Sequence, residues 1–411
     1  MVKKFLVLIV TALALCGCSQ EAASSNTESS ASSESEDSTT ATQSVVKTSS
    51  KDNDDNDNAS DEQRVSFCAV GDNLIHETIY KEADGYSGED GDGKYDFTSF
   101  YSEIKSDIES YDLAFVNQET IVGGYDLGLS GYPLFNSPFE VSEALKDTGF
   151  DMVNLATNHA LDVGQEGIDN AVYIFDELNL CHDGIYSSDD EQNAVSIIER
   201  NGIKFSLVSF TESTNGLTAP NSYSVSTFDD DEYIKQKIQN AKAVSDVVVV
   251  SAHWGTENSY ETDDFQTYYA QYLADCGADI IIGTHPHVIQ PVEWIETSDG
   301  RQVLCAYSLG NFLGGMLLDD NSLSGLLSLD VVKSSDGIKI ENVHWTPLVI
   351  HFEGNQSNIE SERYGYKIYK LSDYTDELAS KHVLNGYNGN SISIEDFESQ
   401  TQSVIAAEFL R

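Results

Sequence analysis

Short apolar runs rich in β-branched residues alternate with longer amphipathic stretches from residue 64 onward. The runs 65–70, 112–116, 151–155, 203–209, 246–251 and 279–282 have the composition of buried strands. They are mostly apolar, and 246–251 and 279–282 are nearly unbroken apolar runs, as strands covered on both faces are. Between them 138–148, 167–178, 230–244 and 263–276 read as helices, the first opening on Pro138 and stopping before Gly149. Strand and helix alternate at the length of βαβ units, which predicts an α/β fold with a largely parallel sheet. After residue 300 the texture changes. The runs 302–307, 326–332 and 338–343 are strand-like and closely spaced, with Asp336-Gly337 as a hairpin turn. They predict a second, mixed or antiparallel sheet. The stretches 371–384 and 394–410 read as helices packed outside it.

The chain therefore divides into a leader, a linker, a domain over 64–352 and a helical extension over 353–411. In residues 1–18, Lys3 and Lys4 precede an apolar run too short to span a membrane. Leu15-Cys16-Gly17-Cys18 resembles a bacterial lipobox, so Cys18 is expected to be the lipidated residue; an ordinary secretory cleavage is the alternative. Two acyl chains suffice for stable anchoring, which places the protein outside the cytoplasm, on the cell membrane. Residues 19–63 are Ser, Thr, Asn, Asp and Glu with few apolar side chains, a composition that does not order itself. As a coil this tether reaches about 35–40 Å.

Charge narrows the partners. With 69 acidic against 22 basic residues the net charge is −47, which excludes nucleic-acid binding through a basic face. Cys68, Cys181, Cys276 and Cys305 are scattered without a CxxC pair, so a cysteine zinc site is not expected. Their disulfide pairing is left open.

Candidate chemistry collects where strands end. Asp72, Asn117 with Glu119, Asn158-His159, His253, and His285 with His287 follow successive strand-like runs. Loops at the carboxyl ends of parallel strands are where open α/β sheets bind ligands. Pro286 restricts the loop that delivers two histidines together. Carboxylate, amide oxygen and imidazole suit Mn²⁺, Fe²⁺ or Zn²⁺ rather than Cu⁺. Such a set can hold one ion, or two about 3.5–4 Å apart that clamp a phosphate-like group.

Six ordered motifs carry a resemblance: Gly71-Asp72; Asn117-x-Glu119; Asn158-His159-x-x-Asp162-x-Gly164-x-x-Gly167; His253-Trp254-Gly255; Gly283-x-His285-Pro286-His287-Val288-x-Gln290; and Ser308-Leu309-Gly310-Asn311-Phe312. Together they resemble the bacterial capsule synthesis family, CapA-like and associated with poly-γ-glutamate, which is similar in fold to calcineurin-like metallophosphoesterases. The resemblance implies an αββα sandwich. It implies Asp72 and His287 on one divalent ion, Asn158, His253 and His285 on the other, and Glu119 between them. His159 would act as acid or steady the transition state. Asp162 either orients His159 or caps its turn. Asn117, Trp254 and Asn311 are read as lining the substrate pocket, although Trp254 is equally placed for a core and Asn311 for a turn.

There are departures. Metallophosphoesterases open on Asp-x-His, whereas this chain has Asp72-Asn73-Leu74 with His76 two residues further. The bridging position is Glu rather than Asp. The Met and Arg that often follow Gly-Asp in the capsule family are absent, which removes a cation for gripping an anionic substrate. Two functions follow from the resemblance. One is a metal-dependent hydrolase or transferase acting on a phosphoester or an anionic polymer. The other is a non-catalytic polymer-binding or assembly factor, partnered with a membrane synthase.

Overall fold

The computed structural model describes residues 43–46, 62–87 and 91–411. The leader and Cys18 lie outside the described residues. In chain order the strands are β1 (Gln43–Val46), β2 (Gln63–Asn73), β3 (Leu113–Gln118), β4 (Met152–Asn154), β5 (Cys181–Asp183), β6 (Val195–Arg200), β7 (Ile203–Thr211), β8 (Val247–His253), β9 (Ile280–Thr284), β10 (Val292–Glu296), β11 (Gln302–Ala306), β12 (Asn311–Leu313), β13 (Leu323–Ser334), β14 (Gly337–Gly354) and β15 (Arg363–Lys370). The helices are α1 (Glu77–Ser87), α2 (Lys105–Ile108), α3 (Glu140–Thr148), α4 (Gly164–Glu177), α5 (Asp189–Asn193), α6 (Asp231–Val244), α7 (Asp264–Cys276), α8 (Asp376–Lys381) and α9 (Ile394–Val404).

The strands make two sheets. One runs β1-β6-β7-β8-β9-β11-β10 and is largely parallel. The other runs β15-β14-β13-β2-β3-β4-β5, with β12 also against β2. It is mixed: β2 to β5 are parallel, and β13 to β15 add antiparallel strands at one side.

Period-two alternation decides which way each side chain goes. Leu207, Val249, Ile282 and Leu304 join the large core that includes β2 and β3. Their neighbours Val208, Val250, Ile281 and Val303 pack against Ile234, Ile238 and Leu273 of α6 and α7. Both faces of these strands are therefore buried, which is why the runs are mostly apolar. Truncating Ile281 to Ala would cost about 2–5 kcal/mol. The α7 start shows how local sequence sets an element: Asp263 accepts from the Gln266 backbone while the Gln266 side chain accepts from the Asp263 backbone.

Several expectations need correction. Residues 302–307 do not belong to the second sheet; β11 pairs in parallel with β9 and turns back into β10 through Asp299-Gly300. That turn signal is as strong as Asp336-Gly337 and joins β10 to β11, while the pairing with β9 places the strand in the first sheet. The segment 353–411 is not wholly helical, because β14 runs on to Gly354 and pairs with β15. The helices there are shorter than expected, beginning at caps on Thr375 and Ser393. Within the segment read as linker, β1 pairs with β6 at the edge of the sheet. No single rim collects the strand ends bearing the candidate ligands: β2, β3 and β4 lie in the mixed sheet, β8 and β9 in the parallel one. The described cysteines are all free thiols.

Candidate metal centre

The two sheets bring their strand ends together. From the mixed sheet come Asp72, at a bulge in the β2–β3 pairing, then Asn117 on β3 and Glu119 just beyond it. From the parallel sheet come His253, ending β8, and the loop after β9 with His285 and His287. Asp72, Asn117, Glu119, Asn158, His253 and His287 are all nearly inaccessible to solvent.

Hydrogen bonds hold most of these groups in place. Asn117 donates to Asp72 Oδ1 at 2.6 Å and accepts from Asn154 at 2.6 Å. His287 Nδ1 lies 3.2 Å from Asp72 Oδ2 and 2.9 Å from Asn311 Oδ1. His253 Nδ1 is 3.0 Å from Thr284 Oγ1, and its Nε2 is 3.0 Å from Asn158 Oδ1. The backbone pays locally for this aim: His285 and His287 have φ of 96° and 60°, in the left-handed region. Such a conformation in a residue with a Cβ costs about 1–3 kcal/mol and persists where surrounding structure enforces it.

A few atoms are left without partners. Both carboxylate oxygens of Glu119 and Nδ1 of His285 are buried with no hydrogen bond. Donor atoms of Glu119, His285 and His287 lie within 4.8 Å of one another. Orphaned buried polar atoms are costly, by roughly 1–3 kcal/mol each and more for charged groups. Three convergent side chains of ligating type, two of them with orphaned atoms, fit a divalent cation. His253 Nε2 and His287 Nε2 stand 3.9 and 3.6 Å from Glu119 Oε1. Electrostatics follow the burial. It pushes the Glu119 carboxyl well up, with Asp72 adding to the shift against the opposing pull of His287. Burial lowers His285 to about 3 and His253 well below the usual histidine value, with neighbouring histidines adding to both. Burial would lower His287 too, but Glu119 and Asp72 outweigh it and hold it at about 10.

The trio Glu119, His285 and His287 cuts across the two ligand sets that the resemblance implies. Beside it, His159 Nδ1 meets Asp162 Oδ2 at 2.7 Å, and the same oxygen accepts from Phe135 N at 2.7 Å. Asp162 thus orients His159 and also holds the loop whose Phe135 ring packs edge-on against it, 4.7 Å between centroids.

Of the residues expected to line a pocket, Trp254 lies in the core and Asn117 and Asn311 lie behind the candidate ligands. Trp254 follows His253 by one position and so faces away, stacked between Phe228 and Tyr307 with Nε1 donating to the Tyr307 carbonyl. Asn117 and Asn311 are fully buried, and each supports a candidate ligand rather than reaching a substrate. His76 does not join the trio; its Nδ1 accepts from Gly315 N at 3.0 Å. The sequence reading passed over Thr284, which has no charge to mark it, although its position opposite His253 follows from strand register. It also passed over Asn154, which sits on β4 beside Asn117.

Residues 66–316, more than half of the chain, match the family model for bacterial capsule synthesis protein PGA_cap. The chain is 34% identical over 214 residues to the PGA biosynthesis protein CapA of Bacillus subtilis (strain 168), covering 52% of this chain and 54% of that one. It is 31% identical over 179 residues to the capsule biosynthesis protein CapA of Bacillus anthracis, covering 42% of each. It therefore spans about half the length of the curated relatives it matches. Among solved structures it is similar to the calcineurin-like phosphoesterase YfkN of Bacillus subtilis, at 13% identity and a TM-score of 0.41, covering 83% of this chain and 97% of that one. That likeness says nothing of activity. The extent of the family match, together with the two capsule relatives, shows that the chain belongs to the bacterial capsule synthesis PGA_cap family.

Proposed function

We propose that this protein is a metal-dependent hydrolase or transferase of capsule or poly-γ-glutamate biosynthesis, anchored outside the cell membrane through lipidated Cys18. The observation that carries the reading is the orphaned set Glu119 and His285, with His287, beside the oriented His159–Asp162 pair. Glu119, His285 and His287 would hold a divalent Mn, Fe or Zn ion, with Asp72, Asn158 and His253 as further ligands of one ion or two. When bound there, such a metal supplies Lewis acidity toward a phosphoryl or carbonyl oxygen and acidifies water. The chain's own groups do the rest. Asp162 holds the His159 Nδ1 side of the ring, which leaves Nε2 as the atom that would protonate the leaving group. Asn117 and Asn311 hold Asp72 and His287 at fixed angles, as outer partners of ligands do. The substrate is a phosphoester or a linkage of an anionic polymer.

One observation favours a second reading. Asn73 bonds to Gln118 and Leu74 is buried, so no histidine stands where the phosphoesterase pattern has one. A non-catalytic polymer-binding or assembly factor, working with a membrane synthase, would tolerate that loss. Purified protein reloaded with Mn²⁺, Fe²⁺ or Zn²⁺ and offered p-nitrophenyl phosphate and γ-glutamyl peptides separates the two. Metal-dependent turnover that falls roughly 10²–10⁴-fold in His159→Ala, with metal content unchanged, is the expected result. Absence of turnover on both substrates by the loaded protein sinks the catalytic reading.

A further inference from the structure

Arg363 is the first residue of β15, beyond the region matched by the family model. It is 8% exposed. A guanidinium is always charged, and burying it normally demands a carboxylate partner. Among the described residues Arg363 has none. Nη1 donates to the Gly315 carbonyl, Nε is buried without any partner, and the group sits 6.0 Å over the Phe352 ring. Two other cations with little exposure are matched, Lys237 by Asp183 and Arg200 by Asp151.

Its surroundings point to the candidate metal centre. The loop that follows Asn311 begins at the partner of His287 and reaches Gly315, whose carbonyl takes Arg363 and whose N–H donates to His76 Nδ1. His76 Nδ1 also lies 3.2 Å from the Leu74 carbonyl; with Nδ1 accepting from Gly315 N, the neutral ring carries its proton on Nε2. The His76 ring packs on Phe135 at 5.4 Å, and Phe135 packs on His159 at 4.7 Å. Arg363 Nη1 and the His76 Cβ both lie close to Gly315, 3.1 and 3.3 Å from where a Cβ on that residue would stand.

We propose that Arg363 and His76 form an oxyanion subsite beside the candidate metal centre, for an anionic group of the substrate other than the reacting one. The assignment rests on the catalytic or polymer-binding reading only for the word substrate; anion binding itself does not need the metal. An unpaired buried guanidinium with open N–H groups lowers its own cost when a phosphate or carboxylate arrives, and its fork matches either. A second subsite suits a substrate that carries several anions in a row.

The test uses the full chain after metal removal by chelation, in wild type, Arg363→Gln, Arg363→Lys and Lys339→Gln. Lys339 is exposed and removes the same charge at a distance. Melting temperature is followed while inorganic phosphate, or in a parallel arm L-glutamate, is added at constant ionic strength. The expected result is a rise with anion in wild type and Lys339→Gln, a smaller rise in Arg363→Lys, and none in Arg363→Gln. The fitted affinity should weaken at least tenfold from wild type to Arg363→Gln. Without anion, Arg363→Gln should melt no lower than wild type, because an unpaired buried charge has been removed; an arginine with a purely structural role would give a lower value. A response to phosphate alone assigns a phosphoryl group to the subsite, and to glutamate alone a carboxylate. Equal responses in Arg363→Gln and wild type, or no response to either anion in wild type, overturn the proposal. Should Arg363→Gln not fold, a response in Arg363→Lys equal to wild type, or no lower than that of Lys339→Gln, does the same. Loss of turnover with metal would refute the catalytic reading and leave these outcomes unchanged.

Discussion

Two buried polar clusters of this protein differ in one respect. Around Lys237 the charged groups are matched: Asp183 Oδ1 accepts from Tyr186 at 3.0 Å and from Lys237 at 3.2 Å, while Oδ2 accepts from Ser209 N at 2.8 Å. Burial alone would lower Lys237, but Asp183 and Tyr186 outweigh it and keep it protonated. Around Glu119 the carboxylate oxygens and a ring nitrogen of His285 have no partner. The first cluster ties β5 to α6 and spends its hydrogen-bonding capacity inside the protein. The second keeps capacity in reserve. Charge and burial look alike in both; saturation is what separates a structural network from a site awaiting a ligand.

The contrast can be broken most sharply at Lys237. Lys237→Met should cost about 3–5 kcal/mol of stability by stranding Asp183, with metal affinity unchanged. Denaturant unfolding together with metal titration checks both halves, and a shift in metal affinity would erase the distinction. Next in size is the metal itself. At a concentration of 100 times its dissociation constant, a divalent cation should stabilise wild type by about 2.7 kcal/mol. Glu119→Ala should show no such gain and should be no less stable than wild type when metal-free, since its orphaned carboxylate is gone. A metal-induced stabilisation that survives in Glu119→Ala would remove that residue from the ligand set. Asn311→Ala, which frees His287 to swing, should weaken metal affinity about 10–100-fold while leaving Lys237 and its partners undisturbed. Calorimetric titration would show whether it does.

The smallest effect concerns a third buried group, used here as a neutral reference. His382 donates from Nε2 to the Ile350 carbonyl and accepts at Nδ1 from Leu384 N. Burial, aided by His351, lowers it to about 3. Because this lies below the value in the unfolded chain, the unfolded state takes up the proton first. Stability from this group is complete above about pH 6.5 and is lost progressively as pH falls toward 3, by at most about tenfold in the unfolding constant per pH unit. Unfolding midpoints of wild type and His382→Gln, compared between pH 7 and 4, should converge as pH falls; parallel curves would contradict the assignment.

Legibility was uneven. The strands that end in candidate ligands show in the sequence because an apolar run bounded by a turn residue is a local signal. His285 and His287 were readable for the same reason, since Pro286 confines their loop. For Trp254 strand parity decides between pocket wall and core: residue 253 faces one side of β8, so 254 faces the other. Asn117 and Asn311 read as pocket lining because composition does not distinguish a side chain that touches a ligand from one that holds a neighbour. Arg363 left no trace, since nothing near it in the chain announces a missing carboxylate.

Alternation of apolar runs and helices, and the places of the candidate ligands at strand ends, were determined by sequence alone, because each depends on neighbours a few positions away. That β2, β3 and β4 belong to one sheet and β8 and β9 to another was decided by the tertiary structure. So was the pairing of β11 with β9, and the partition of buried groups into satisfied and orphaned ones. Those outcomes rest on contacts between segments far apart in the chain, where free energy is summed over a packed interior and no local window contains the partners.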